Sequence, residues 1–174
     1  LRAMGFGSSY TAEKAGDATK LKPKGPEKVK ELAKFDDALK DVKTLEFDLT
    51  GCVLLTTGPK IENCATLTTL KIDFKDCKAC KTGFTLKGLS ALTAVTFNFV
   101  KTMEITNAVI IKNCDALPKV EVDLRQCKNM QVAPQVENCP ALKELKLDMS
   151  NCSKMLNAPN LETLTSLETL KLLC

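Results

Sequence analysis

Nine cysteines stand among 174 residues that include no histidine, and seven of the nine keep step with one another. Cys52, Cys77, Cys127 and Cys152 share one 25-residue register, with Thr102 in the remaining place. Cys64, Cys114 and Cys139 share a second, with Leu89 and Leu164 between them. Thiols so spaced could form disulfides, hold zinc or carry redox chemistry. Stacked coils lie about 4.8 Å apart, within reach of a Cys52–Cys77 bridge. Cys77-Lys78-Ala79-Cys80 is a C-x-x-C, and with Cys52 one coil away three thiols would gather. A structural zinc site wants four ligands, and the chain offers neither a histidine nor a second C-x-x-C. Cys80 shares its register with Leu55, Ile105, Met130 and Met155, and the two thiol registers point inward with the leucines. Free cysteine packs as a small hydrophobe. The reading is a ladder of buried thiols, with no metal and no cofactor. A thiol redox or metal-binding protein centred on Cys52, Cys77 and Cys80 is an alternative.

A second column carries charge. Asp48, Asp73, Asn98, Asp123 and Asp148 recur at the same 25-residue step, on the outward side of their segments. Stacked carboxylates repel, so packing needs alone do not predict such a stripe. It reads as a surface for a basic partner segment or as a solvated column balanced by Lys71, Lys75, Arg125 and Lys146. Glu46 with Lys71 and Glu121 with Lys146 make cross-strand pairs in the same frame. Catalysis has no candidates: there is no nucleophile motif and no phosphate loop. The aspartates lie on an open face with no pocket to split their pKa values. The chain reads as a non-enzyme.

The elements that position these residues follow from the repeat. Five copies run without an insertion, so one supersecondary unit stacks on itself. Each copy opens with alternating apolar and polar residues, as in Leu70-Lys71-Ile72-Asp73-Phe74, which predicts a half-buried strand. The apolar period then changes to three through Phe74, Cys77, Cys80, Gly83, Leu86, Leu89 and Leu92. That period suits 3₁₀ turns or extended chain better than α-helix, so the far side of each coil is expected to be mostly irregular. Gly58, Gly83, Ala108, Ala133 and Ala158 form a register of small residues, which predicts close backbone approach there. Residues 26–42 read as an amphipathic capping helix opened by Pro26, with Val29, Leu32, Phe35, Leu39 and Val42 on one face. Residues 43–174 form the solenoid, about five and a third repeats.

Cys64-x-x-Leu67-x-x-Leu70-x-Ile72-x-Phe74-x-x-Cys77 and the run Asn138 to Leu145 resemble the cysteine-containing leucine-rich repeats. The resemblance covers residues 42–174, with a strand two residues longer than the family's norm. It implies an α/β repeat solenoid coiled to the right, a parallel sheet on the concave side, and protein recognition there. A regular β-helix is the alternative fold.

Residues 1–30 carry seven cations against three acids, and the remainder carries 18 of each. A neutral body argues against nucleic-acid binding by the repeats. The segment 1–25 is too poor in core residues to order itself. It is expected to lie along the solenoid or, in preference, against another protein, with Arg2, Lys14, Lys20, Lys22 and Lys24 as contacts. The longest apolar stretch, Ala108 to Ile111, is far short of a membrane span. The expected partners are other proteins of a larger assembly, with room for peripheral attachment to a membrane complex. A start at Leu1 suggests a processed mature chain or a fragment; an intracellular setting is expected, an organelle being one option if a targeting peptide has been removed. A secreted recognition module is the other alternative. Leu170, Leu172 and Cys174 would leave an open strand edge, to be covered by a partner or by further chain.

Overall fold

The chain is a β-solenoid of about six turns. The computed structural model describes residues 10–15, 18–30, 32, 39 and 41–174. Its strands are β1 (Tyr10–Ala15), β2 (Ala18–Pro23), β3 (Thr44–Asp48), β4 (Lys60–Glu62), β5 (Thr69–Asp73) and β6 (Thr82–Lys87). They continue as β7 (Ala94–Asn98), β8 (Asn107–Lys112), β9 (Lys119–Asp123), β10 (Gln135–Glu137), β11 (Glu144–Asp148) and β12 (Thr169–Leu173). An eight-stranded sheet has the order β1-β2-β3-β5-β7-β9-β11-β12, and a four-stranded sheet the order β10-β8-β6-β4.

From β3 to β12 the long sheet is parallel, and its pairing follows the 25-residue step, as in Leu45↔Leu70 and Leu145↔Leu170. Register slips are costly here because a shift of one residue would turn every apolar side chain outward. Leu45, Phe47 and Leu49 are buried, as are their equivalents through Leu147. Each such side chain contributes roughly 1.5–3 kcal/mol. Between the sheets the middle coils are filled by rings. Phe74 meets Phe84 edge-on at 4.7 Å and Phe99 at 5.3 Å, and Phe84 lies 5.5 Å from Phe97.

The far side corrects the expectation of a mostly irregular surface: it holds the four-stranded parallel sheet. The period of three is real at the corners, where Cys77 N–H donates to Phe74 O and Cys80 N–H to Cys77 O, both at 3.1 Å. Between the corners it gives way to a period of two, with Phe84 and Leu86 buried in β6 and Val109 and Ile111 in β8. The β-branched run Val109-Ile110-Ile111 favours strand. The small register does what its size implies. A Cβ on Gly83 would stand 1.6 Å from the Ala108 carbonyl oxygen, and one on Gly58 2.4 Å from that of Gly83.

The α/β class is not confirmed, since no α-helix occurs among the described residues. The capping helix over 26–42 is corrected where it can be seen. Pro26–Lys28 is a single 3₁₀ turn after Gly25, whose φ is 66°, and Val29 is already extended. Glu31, residues 33–38 and Lys40 lie outside the described residues. Leu39 and Val42 are buried in the common core, with Val29 and Leu32 packed against it. Val42 N–H donates to Leu39 O at 3.1 Å. At Leu39 and Val42 the three-residue step is the corner step of Cys64 and Leu67 one coil on, where Leu67 N–H donates to Cys64 O.

At this end the long sheet is extended by a hairpin. β1 and β2 pair antiparallel, and β2 pairs parallel with β3 from Ala18↔Thr44 to Leu21↔Phe47. Thr19 and Leu21 are buried, and the Tyr10 ring meets Phe47 edge-on at 5.9 Å. Core contacts from the solenoid supply the order that the segment's composition lacks. At the opposite end β12 is an edge strand with Leu170 and Leu172 each 40% exposed.

Candidate interaction surface

The five aspartate and asparagine positions end the strands β3, β5, β7, β9 and β11, half-buried, in one column on the outer face of the long sheet. Each accepts a hydrogen bond from the backbone N–H two residues on. Thr50 donates to Asp48 at 3.0 Å, Lys75 to Asp73 at 2.9 Å, and Val100, Arg125 and Ser150 to Asn98, Asp123 and Asp148 at 3.1 Å each. These are Asx turns, a local closure that short polar side chains supply. The column therefore has a backbone reason, contrary to the expectation that packing needs would not create it. The second oxygens are also engaged. Asp48 Oδ2 meets Lys22 Nζ at 3.2 Å, Asp73 Oδ2 accepts from Asn98 Nδ2 at 3.2 Å, and Asp123 Oδ2 accepts from Arg125 at 2.7 Å. Burial alone would raise the Asp48 and Asp123 carboxyls. Hydrogen bonds from Thr50 and Arg125 outweigh it and hold both below the usual carboxylate range.

Beside this column runs a charge-alternating one. Glu46 lies between Lys20 (3.2 Å) and Lys71 (3.3 Å), and Glu121 pairs with Lys146. Both cross-strand pairs anticipated from the spacing form. The tail cations divide: Lys20 and Lys22 bind the first coil's own acids, and Lys14 is placed in β1 by its backbone. Lys24 follows β2, exposed and without an ion pair among the described residues, and Arg2 lies outside those residues. The docking of this hairpin on β3 corrects the preference for another protein as the surface that orders it. The two columns enclose a shallow hollow of about 270 Å³ floored by Phe47 and Ile72. A second, of about 310 Å³, lies between Lys20, Lys22, Glu46 and Asp48.

The thiols have a structural task of their own. Cys77 Sγ donates to Leu49 O and Cys127 Sγ to Phe99 O, each at 3.1 Å, and Cys152 Sγ to Leu124 O at 3.2 Å. Thr102 fills the same register because its hydroxyl donates to Phe74 O at 2.9 Å. The register selects a small donor that ties each coil to the one before. All nine cysteines are free thiols. Burial pushes the Cys80 and Cys127 thiols up to about 12, and contact with Cys52, together with burial, pushes Cys77 up as well. Thiols so held are poor nucleophiles at neutral pH. Among the described residues no three of His, Cys, Asp and Glu come together as a metal site, and no helix is long and apolar enough to cross a membrane.

Two features were missed from the sequence. Asn63, Asn113 and Asn138 have φ of 54–56° and Gly88 has 65°, so one register turns four successive coils back toward the long sheet through a left-handed residue. Asparagine and glycine adopt that conformation most readily, and their alternation in one register was the available signal. Gly51, Asp76, Lys101, Gln126 and Asn151 do the same at the other corner, with φ from 61 to 73°. That register is too mixed in type to announce itself. In comparisons with protein-family models, with curated proteins and with solved structures, nothing matches this chain.

Proposed function

We propose that this protein is a non-enzymatic binding scaffold, an accessory or structural subunit that uses the outer face of its long sheet to hold another protein. The observation that carries the reading is the ordered outer face of the parallel strands from β3 onward, with side-chain columns at a fixed coil spacing and a hollow of about 270 Å³ between them. A rigid repeated platform of this kind recognises a partner over a long front without rearranging. The resemblance to cysteine-containing leucine-rich repeats supports the same reading through its period and its buried thiols. The strand-built far side sets the coil apart from that family's pattern.

Because the aspartates also close turns, the test must separate charge from structure. Asn98 shows how: asparagine closes the same turn without the charge. Asp73→Asn and Asp123→Asn together should lower the denaturation midpoint only slightly, through loss of the exposed Asp123–Arg125 pair, and weaken capture of the native partner at least about tenfold if the acidic column contributes about 1.4 kcal/mol to recognition. Thr96→Arg, placed in the hollow on an exposed side chain, should abolish capture outright. Cross-linking mass spectrometry of the protein from its native source identifies the partner. Cross-links confined to this chain, with a native mass near 19.0 kDa, would sink the subunit reading.

A further inference from the structure

The corner that follows each long-sheet strand carries a second surface. In three successive coils it bears Lys75, Lys78, Lys81, Lys101 and Lys128, all exposed and none in an ion pair among the described residues. Arg125 on the same corner is held by Asp123 and Asp148. Two acids share the corner. Asp76 is half-buried at a left-handed turn, and Glu104 accepts a hydrogen bond from Asn129 at 3.3 Å. Among the lysines an apolar side chain stands proud: Met103 is 39% exposed, directly between Lys78 and Lys128 in the stacking column. Leu54, 43% exposed, continues the ridge toward the first coil. At about 4.8 Å per coil, the five lysines span roughly 10 Å along the stack, three of them spread around one coil's corner. Asp76 and Glu104 offset the lysines' mutual repulsion only in part, and neither forms an ion pair with them among the described residues.

We propose that this corner is a docking ridge for an anionic lipid surface. The lysines meet headgroup phosphates and carboxylates, and Met103 and Leu54 enter the headgroup boundary. The shape favours a membrane over a peptide. A convex corner touches a plane along its whole length, whereas an extended peptide needs a groove or a free strand edge. Cations around a projecting apolar side chain are the composition of interfacial binding. Docking through the corner leaves both sheet faces free, so it does not depend on the long sheet being a protein-binding face.

Vesicle co-sedimentation with the full chain tests this. The protein should bind vesicles of seven parts phosphatidylcholine to three of phosphatidylserine at low salt, release from them at high salt, and ignore phosphatidylcholine alone. Each lysine near such a surface is worth roughly a fivefold change in partitioning. The triple variant Lys78→Glu, Lys101→Glu, Lys128→Glu should therefore lose at least about 100-fold, and Met103→Asp should lose a smaller part. A matched control, Lys60→Glu, Lys87→Glu, Lys171→Glu, makes the same charge change away from the corner and should keep most of the binding. Denaturation midpoints of all variants establish that they fold. Failure of the wild-type protein to sediment with anionic vesicles, or equal loss in both triple variants, overturns the proposal. Tight binding to a polyglutamate peptide without vesicle binding would assign the ridge to an acidic protein segment instead.

Discussion

The two corners of each coil solve one backbone problem in different ways. Both need a left-handed residue to turn the chain, and both receive one in nearly every coil. At the corner leading back into the long sheet the residue is asparagine or glycine, and three of the lysines nearby are paired. Lys112 pairs with Glu137, Lys119 with Glu144 and Lys143 with Glu168, at 2.8–3.0 Å. At the corner leading out, an Asx turn and a thiol or hydroxyl hold the backbone, the left-handed position accepts Lys101 and Gln126, and five lysines of the middle coils are in no ion pair among the described residues. Where side chains below the surface already hold a turn, its exposed positions are released from structural duty. That freedom is what makes the cationic corner the better place to look for an external ligand.

Both corners depend on coils that stack in register, and Gly83→Ala should break that stack most severely. A methyl group 1.6 Å from the Ala108 carbonyl forces the backbones apart, at a cost of about 3 kcal/mol or more. Urea denaturation would register the loss at both corners together.

The outward corner is sharpened by changes at Thr102. Thr102→Val removes one of the two donors on the buried Phe74 carbonyl, which keeps the Cys77 N–H, and should cost about 0.5–1.5 kcal/mol. Thr102→Cys, which adopts the register's own residue, should cost less than about 1 kcal/mol. Equal destabilisation by the two would mean that shape, not the hydrogen bond, selects the register.

The opposite corner answers to backbone conformation. Asn113→Ala places an alanine at φ 56° and should destabilise by about 1–2 kcal/mol. Asn113→Gly should be near neutral, the loss of one exposed side-chain hydrogen bond from Asn138 set aside. Calorimetric melting of the two variants separates the effects.

The smallest expected effect is a pH step at the hairpin. A hydrogen bond from Lys20 is the main cause that holds the Glu46 carboxyl below its ordinary 4.5, with Lys71 adding to it against a small opposing effect of burial. A depressed folded-state pKa contributes stability above the unfolded value, and that contribution is lost as pH falls through the folded one. Amide protection in β2 should therefore weaken below about pH 4.5, and Lys20→Met should remove the step.

Much of this was legible in the chain. The 25-residue period, the strands β3 to β12 of the long sheet, their inward residues and the pairs Glu46–Lys71 and Glu121–Lys146 follow from alternation and stacking alone, because a parallel in-register sheet places like positions side by side. The buried thiols follow from the company they keep. Tertiary structure alone decided three things. It made the far side a sheet, since a period of two lasting only from Phe84 to Leu86 is masked by three-residue corners on either side. It gave the aspartate column a backbone role, since whether a carboxylate faces a partner or its own turn depends on the local path of the chain. It also placed the strands β1 and β2, because Tyr10, Thr19 and Leu21 find apolar surface only once Leu45 and Phe47 stand assembled beneath them, a long-range contact that no local pattern encodes.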